Sequence, residues 1–196
     1  MGENIYILSQ NKDAIIIDPG GEEGRMDHYI KEKGLNPKMI LLTHGHGDHI
    51  FAVDHLREKY NIPVIAHEEE KEILEDGEKN WSGQLGQFME ICADEYITEK
   101  EIKKFGDYEI RFLHTPGHTK GGMCIHVGNY LFTGDTLFKQ SIGRTDLPTG
   151  SMRSLLASLN KIVQLDKDTI VLPGHGPAST VGFEKEHNTF ITRFQK

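Results

Sequence analysis

The seven residues 43–49 constrain the fold of this chain more than any other stretch. They read Thr-His-Gly-His-Gly-Asp-His and follow an apolar, strand-like run at residues 39–42. A helical pattern begins near Asp48 and extends to Tyr60. The sequence therefore predicts a strand, a turn that carries the polar side chains, and a helix. Open sheets with helices place ligand sites at this carboxyl end of a strand.

The side chains of this turn have the chemistry of metal ligands. In extended backbone, residues two apart point the same way, so His44 and His46 can bind one ion. Asp48 and His49 fall where the chain turns and can face a second ion. Imidazole and carboxylate groups suit zinc, iron or manganese. The alternative is a solvated loop, but three histidines and an aspartate this close behind an apolar strand favour a metal site.

Composition argues against several classes of function. The 196 residues fit one domain, residues 1–196, with a buried core, and no segment has the apolar length that spans a bilayer. The net charge of −8 argues against nucleic acid as the main partner, because phosphate binding needs a basic surface. We see no secretory signal, and Cys92 and Cys124 do not make a disulfide framework. A cytoplasmic, reduced setting is therefore expected, and the oligomeric state is left open.

The remaining sequence alternates between strand and helix patterns, which is typical of an α/β protein. Apolar or alternating runs predict strands at residues 4–8, 14–17, 39–42, 63–66, 108–113, 123–127, 130–133 and 169–172. Apolar residues at helical spacing predict helices that cover residues 26–30, 48–60, 155–163 and 182–194. Gly34 is expected to close the first of these helices as its C-cap.

Residues 67–104 show a weaker pattern of strand and helix periodicity. The acidic run of residues 68–72 is interpreted as the solvated face of a short helix. Trp81, the only tryptophan, stands in the polar, glycine-rich residues 76–87. We interpret it as an anchor in the core in preference to part of a lid over the site, because tryptophan tends to bury most of its surface.

One arrangement recurs along the chain: an apolar strand ends, and the next residues supply a possible metal ligand flanked by glycine or proline. After the first turn, these ligands are His118, Asp135 and His175. Strand ends at one edge of packed sheets lie close together, so the four turns can converge. Asp18, in an Asp-Pro-Gly turn after the second strand, is either an ordinary turn residue or the carboxylate partner of a metal-bound histidine.

These motifs resemble those of the metallo-β-lactamase fold superfamily over essentially the whole chain. Residues 43–49 match Thr-His-X-His-X-Asp-His, and residues 115–119 match Thr-Pro-Gly-His-Thr. Gly-Asp-Thr stands at residues 134–136 and Pro-Gly-His-Gly at residues 173–176. Within the superfamily the chain looks closest to the type II glyoxalases (hydroxyacylglutathione hydrolases), especially the short bacterial members.

The resemblance implies an αββα sandwich of two mixed β-sheets flanked by helices, with a two-metal site at one edge. By the family pattern, one metal is held by His44, His46 and His118, the other by Asp48, His49 and His175, and Asp135 bridges the two. The ions are expected to be zinc, with iron or manganese as alternatives. They would share a hydroxide, oriented by Asp48, that attacks the carbonyl of a small thioester such as S-lactoylglutathione or a related acyl-thiol.

The chain departs from the larger type II glyoxalases around the substrate. We expect their C-terminal helical domain, which supplies basic contacts to glutathione, to be absent here. Where those enzymes carry a Lys-Phe-Tyr run that helps to hold glutathione, this chain reads Arg144-Thr145-Asp146. Arg144 can bind a substrate carboxylate through its planar guanidinium, or it can brace its own loop against Asp146.

Two rival activities follow from the same resemblance. Residues 143–146, Gly-Arg-Thr-Asp, also match persulfide dioxygenases of the superfamily, which use one iron and oxygen. In that group a tyrosine closely follows the last motif histidine, whereas Gly176 and Pro177 follow it here, which favours the hydrolase. The second rival is a hydrolase of lactones, lactams or phosphodiesters.

Overall fold

Two β-sheets face each other in the computed structural model, which describes residues 2–193. In the first sheet, β1 is antiparallel to β2 and the other neighbours are parallel. Its strands, in spatial order, are β1 (Tyr6–Gln10), β2 (Asp13–Ile17), β3 (Asn36–Leu41), β4 (Val64–His67) and β5 (Glu95–Ile97).

The second sheet has six strands and is mainly antiparallel. Its strands along the chain are β6 (Ile102–Phe105), β7 (Tyr108–His114), β8 (Met123–Val127), β9 (Tyr130–Gly134), β12 (Ile170–Pro173) and β13 (Ser179–Thr180). The spatial order is β13-β12-β9-β8-β7-β6, and only β9 and β12 pair in parallel. A small hairpin of β10 (Leu137–Phe138) and β11 (Ser141–Ile142) follows β9.

Helices cover the outer faces of both sheets. They are α1 (Glu23–Lys33), α2 (Gly47–Ile50), α3 (Val53–Tyr60), α4 (Lys71–Leu74), α5 (Met152–Ile162), α6 (Val181–His187) and α7 (Thr189–Thr192), and a 3-10 turn (Glu68–Glu70) precedes α4. Gly34 caps α1 in the left-handed conformation, as predicted. Among residues 2–193, no helix is both long enough and apolar enough to cross a membrane.

Alternation along single strands separates the layers. In β2, Ile16 packs in the core beneath α1 and α3, whereas Ile15 and Ile17 pack in the core between the sheets. In β9, Phe132 belongs to the core between the sheets and Leu131 to the core beneath α5 and α7. Successive strand residues point to opposite faces, so each strand seals two apolar layers. The predicted αββα sandwich is confirmed.

The structure differs from the predicted elements in the middle of the chain. The helix expected from Asp48 onward is broken into α2 and α3, because the backbone nitrogen of Ala52 donates to the carbonyl oxygen of Pro19 (2.9 Å). Strands β5 and β6 were not predicted, since each is short and buries only its last residue. The predicted closing helix is two helices, and its predicted end, Phe194, lies outside the described residues.

The acidic run of residues 68–72 is not wholly solvated, so that interpretation was wrong for one member. Glu70 is 1% exposed. Its Oε1 accepts a hydrogen bond from the backbone nitrogen of Gly45 (2.9 Å), and its Oε2 accepts one from the hydroxyl of Thr119 (2.8 Å). These partners lie far away in the sequence, so charge pattern alone did not reveal the burial.

Candidate metal centre

Four turns meet at one edge of the sandwich, after β3, β7, β9 and β12. Strand β7 and strand β9 both run antiparallel to β8, and β12 runs parallel to β9, so these three end on the same side. The backbone nitrogen of Gly174 donates to Gly134 O (2.8 Å), and that of Met123 donates to Thr43 O (2.9 Å). The second bond ties the turn after β3 to the second sheet.

The turn after β3 is packed too tightly to carry side chains at its glycines. A Cβ on Gly45 would lie 2.9 Å from Leu74 Cδ2, and one on Gly47 would lie 2.7 Å from Ser82 Cα. The backbone nitrogen of Gly47 also donates to the carbonyl oxygen of Asn80 (2.7 Å). The histidine turn is therefore held between α4 and the loop that contains Asn80 and Ser82.

The first cluster consists of His44, His46 and His118, which are buried and whose nearest ring nitrogens lie within 4.8 Å of one another. His46 Nδ1 lies 2.8 Å from His118 Nε2. His118 Nδ1 donates to the carbonyl oxygen of Arg144 (2.7 Å), which leaves Nε2 free toward the cluster. Three imidazoles converging in this way can bind one metal ion.

The second cluster consists of Asp48, His49 and His175. Each offers one ligand atom, and these three atoms lie within 4.8 Å of one another. His175 Nε2 lies 3.3 Å from Asp48 Oδ2. His175 Nδ1 donates to the carbonyl oxygen of Gly2 (3.2 Å), and Glu3 forms a β-bridge with His175. The N-terminal residues therefore position the last histidine, which the sequence alone did not indicate.

Asp135 lies between the two clusters. Its Oδ2 is 3.6 Å from His118 Nε2 in the first cluster and 3.6 Å from His175 Nε2 in the second. Its Oδ1 is 3.4 Å from His49 Nε2. The seven residues predicted as ligands thus lie together, with the carboxylate of Asp135 in reach of both sets.

Unpartnered polar atoms test whether the residues suit a metal. Buried polar atoms nearly always have a hydrogen-bond partner, yet five buried side-chain atoms in residues 2–193 have none. Four of these five belong to the predicted ligands: His44 Nε2, His46 Nε2, His49 Nε2 and Asp135 Oδ1. The fifth is Glu3 Oε1, whose carboxylate approaches His49 Nδ1 at 3.9 Å. Since leaving lone pairs desolvated is costly, these donors fit a divalent cation.

The clusters differ in their electrostatics. Burial, followed by the neighbouring histidines, lowers the pKa of His44 well below its usual value and that of His46 to about 3. Both are therefore neutral, which is the form that ligates metal. The hydrogen bond with Asp48 raises the pKa of His175. Burial alone would raise the pKa of Asp135, but the His49 imidazole holds it below its usual range, so Asp135 is ionised.

Asp18 lies against this centre and not in an open turn. It is 2% exposed. Its Oδ1 accepts from the backbone nitrogen of Thr43 (2.7 Å), and its Oδ2 accepts from the Thr43 hydroxyl (2.5 Å) and from His49 Nδ1 (3.0 Å). This contact fixes the ring of His49 with Nε2 toward Asp135. The geometry matches the role of a carboxylate that orients a ligating histidine.

We predict that Asp18→Asn weakens metal binding at the Asp48, His49 and His175 cluster by ~10–100-fold, because His49 loses its charged partner. Competition with a chromophoric chelator would measure the affinity. Asp13→Asn is the matched control, because Asp13 is the exposed first residue of β2, the strand that Asp18 follows. This variant should bind metal as the parent chain does. Equal affinities for the two variants would contradict the role given to Asp18.

A cleft of about 460 Å³ opens onto the centre. Besides ligands, its wall includes Trp81, Leu85, Phe138, Ile142, Arg144 and Leu147. Trp81 is only partly buried, so its interpretation as a core anchor was wrong. It has a φ of 63°, a strained value for a bulky residue, and it is flanked by the fully buried Asn80 and Ser82. Its partly buried ring lines the cleft.

Arg144 stands at the rim of this cleft. Its guanidinium lies over the Trp81 ring, 5.2 Å from the centroid. Its Nε and Nη2 each donate to the Asp146 carboxylate at 2.7 Å. Arg144 therefore braces its own loop, which was one of the two predicted roles, and Nη1 is not used in that pair.

Sequence comparisons place these motifs in a known family. The model of the metallo-β-lactamase superfamily matches residues 1–175. The chain is 42% identical to the probable metallo-hydrolase YqgX of Bacillus subtilis, over 97% of this chain and 93% of that protein. It is 37% identical to the hydroxyacylglutathione hydrolase GloC of Haemophilus influenzae, over 94% and 90% of the two chains.

Solved structures agree with the sequence matches. The B3 metallo-β-lactamase BLEG-1 superposes with a TM-score of 0.92 at 43% identity, over 97% of this chain and 94% of that one. TTHA1623 in a di-iron-bound form superposes with a TM-score of 0.87 at 35% sequence identity, over 96% of this chain and 94% of that one. ETHE1 of Myxococcus xanthus superposes with a TM-score of 0.80 at 27% sequence identity, over 96% of this chain and 79% of that one. With its sandwich fold and its histidine and aspartate clusters suited to divalent metal, the chain belongs to the metallo-β-lactamase superfamily.

Proposed function

We propose that this protein is a binuclear metal-dependent hydrolase of thioesters, acting on S-lactoylglutathione or a related small acyl-thiol. The observation that carries the proposal is the position of Asp135, within 3.6 Å of histidines from both clusters. A carboxylate within reach of two ligand sets is suited to bridging a pair of metal ions. The 37% identity to a hydroxyacylglutathione hydrolase supports the thioester substrate.

The ligands are assigned as His44, His46 and His118 for one ion and Asp48, His49 and His175 for the other, with Asp135 between them. A bound pair of divalent ions supplies an activated water, whose pKa falls toward ~7, and polarises a carbonyl. Zinc is our proposal for the resident metal, with iron or manganese as alternatives.

Asp48 has the geometry to orient the attacking water. Its side chain is 40% exposed and lines the cleft, whereas His49 beside it is fully buried. Burial would raise the pKa of Asp48, but the hydrogen bond with His175 lowers it, so the carboxylate is ionised at neutral pH. An ionised carboxylate at the floor of the cleft can accept a hydrogen bond from water and direct its lone pair at the carbonyl.

The cleft walls suit an acyl-thiol with an anionic group. Trp81, Leu85 and Phe138 provide apolar surface beside the ligands. We assign to Arg144 the recognition of a substrate carboxylate, through the Nη1 donor that its pair with Asp146 leaves free. The partner is then a small molecule, with neither nucleic acid nor membrane involved. We propose a cytoplasmic location.

Two other activities are supported by particular observations. The Gly-Arg-Thr-Asp run at residues 143–146 and the likeness to ETHE1 support a mononuclear iron persulfide dioxygenase. The 43% identity to a B3 metallo-β-lactamase supports hydrolysis of lactams, within the rival class that also comprises hydrolases of lactones and phosphodiesters. The shared position of Asp135 favours two metals and hence hydrolysis over the dioxygenase.

Metal analysis combined with a substrate panel tests the proposal. The purified chain is analysed for zinc, iron and manganese and assayed with glutathione thioesters, neutral thioesters, a persulfide and a β-lactam. We expect about two metals per chain and the fastest turnover with thioesters whose thiol carries carboxylates. Chelation should abolish this turnover and metal should restore it. One iron per chain with sulfite production, or lactam hydrolysis without thioester hydrolysis, would contradict the proposal.

A further inference from the structure

Glu70 is a buried carboxylate outside the two ligand clusters. It stands at the end of the 3-10 turn before α4 and is 1% exposed. Burying a charged group is costly unless hydrogen bonds compensate for the lost water. Glu70 therefore has to be explained by its partners, which all come from other parts of the chain.

The two hydrogen-bond donors nearest to the Glu70 carboxylate each stand next to a ligand of the first cluster, and the backbone of Gly121, three residues after His118, also faces it. Oε1 accepts from the backbone nitrogen of Gly45, which stands between His44 and His46. Oε2 accepts from the hydroxyl of Thr119, which directly follows His118. One carboxylate thus joins the two turns that provide all three histidines of this cluster. Within residues 2–193, its hydrogen bonds reach no residue adjacent to a ligand of the second cluster.

Close backbone packing holds Glu70 at this position. A Cβ on Gly121 would overlap the backbone nitrogen of Glu70 and lie 2.6 Å from its Cα. On the other side, a Cβ on Gly45 would lie 3.1 Å from Ile73 Cγ2. The segment around Glu70 is wedged between the two turns, so its carboxylate can act as a spacer of fixed length.

We propose that Glu70 is a positioning residue that sets the separation between the His44–His46 turn and the His118 turn. It thereby tunes the affinity of the metal position formed by these histidines, without touching the metal or the substrate. The inference rests on the proposed two-metal function. It predicts an effect confined to one of the two metal positions.

Two single-position backgrounds make this selectivity measurable. His175→Ala disables the second cluster and His44→Ala disables the first, so each background retains one complete ligand cluster. Glu70→Gln is added to each, because glutamine keeps the size but places an amide donor among the donors of Gly45 and Thr119. Glu68→Gln, an exposed neighbour in the same turn, is the matched control. Affinity for cobalt(II) is measured by competition with a chelator, together with the melting temperature of each metal-free chain.

We expect Glu70→Gln to lower the cobalt affinity by ~10–100-fold in the His175→Ala background and by less than about twofold in the His44→Ala background. Glu68→Gln should change neither. An equal loss in both backgrounds would show a general structural role and overturn the inference, as would no loss in either. If the two backgrounds themselves do not bind one metal each, that result contradicts the proposed two-metal function and is distinct from a failure of the role given to Glu70.

Thr119 gives a second and milder test, whose single variants do not depend on how Glu70→Gln folds. Thr119→Val removes one donor to Glu70 and should weaken the same metal position, whereas Thr119→Ser retains the hydroxyl and should rescue it. The losses from Thr119→Val and Glu70→Gln should not add in the double variant, because both break one contact. Full additivity, or failure of serine to rescue, would overturn the inference.

Discussion

An Asp135→Ala variant is expected to lose its hold on both metals and to show no turnover. The carboxylate of Asp135 lies within 3.6 Å of His118 and His175 and 3.4 Å from His49, so its removal affects both clusters. It also removes the ionised carboxylate that lies between these imidazoles. The loss of metal affinity should exceed the ~10–100-fold that follows removal of a partner outside the ligand shell.

Metal content after dialysis, measured beside thioester hydrolysis, checks this expectation. Asp168→Ala is a suitable control, because Asp168 is exposed and, in the described part of the chain, its carboxylate pairs only with its neighbour Lys167. The metal-free melting temperatures of both variants establish that the fold persists. Two tightly bound metals or normal activity in Asp135→Ala would show that Asp135 does not bridge.

The second large effect is expected from Gly174→Ala, a change of one methyl group. A Cβ at this position would overlap Asp135 Oδ1 and lie 2.6 Å from His49 Cε1. The backbone cannot easily retreat, because Gly174 donates to Gly134 O (2.8 Å) and accepts from the backbone nitrogen of Asn4 (2.7 Å). The two ligands must move instead, so we expect loss of the second metal and of activity.

Metal stoichiometry and circular dichroism of the Gly174→Ala chain give the readout. Gly24→Ala is the matched control: it lies in α1, a Cβ there meets nothing within 4 Å, and alanine favours the helix. This control should keep its metals. A Gly174→Ala chain that binds two metals as tightly as the parent would contradict the packing argument.

Local sequence was sufficient to predict an α/β protein and the turns that carry the candidate ligands, whereas the αββα sandwich came from the resemblance to the superfamily. Each of these turns directly follows an apolar strand, and residues 43–49 supply four candidates in one short stretch. Strand alternation and glycine caps are short-range signals, so Gly34 and most strands could be predicted.

Features decided by distant contacts could not be predicted. Glu70 is buried because Gly45 and Thr119 surround it, and an acidic run gives no sign of this. The three residues of β5 form a strand because β4 pairs with them. The helix after Asp48 breaks because Ala52 bonds to Pro19. Each cause lies outside the window in which periodicity is read.

The loop beside the cleft limits how its selectivity can be redesigned. Asn80 and Ser82 are fully buried, and they are fixed to the ligand turn through the Gly47 nitrogen and the close approach of Ser82 to Gly47. Residues 84–88 are exposed. A library of variants at Trp81 and residues 84–88 can therefore be screened for new substrates while the backbone of the ligand turn keeps its position. A library that varies residues 80 and 82 would change catalysis as well as selectivity, because these residues contact the ligand turn.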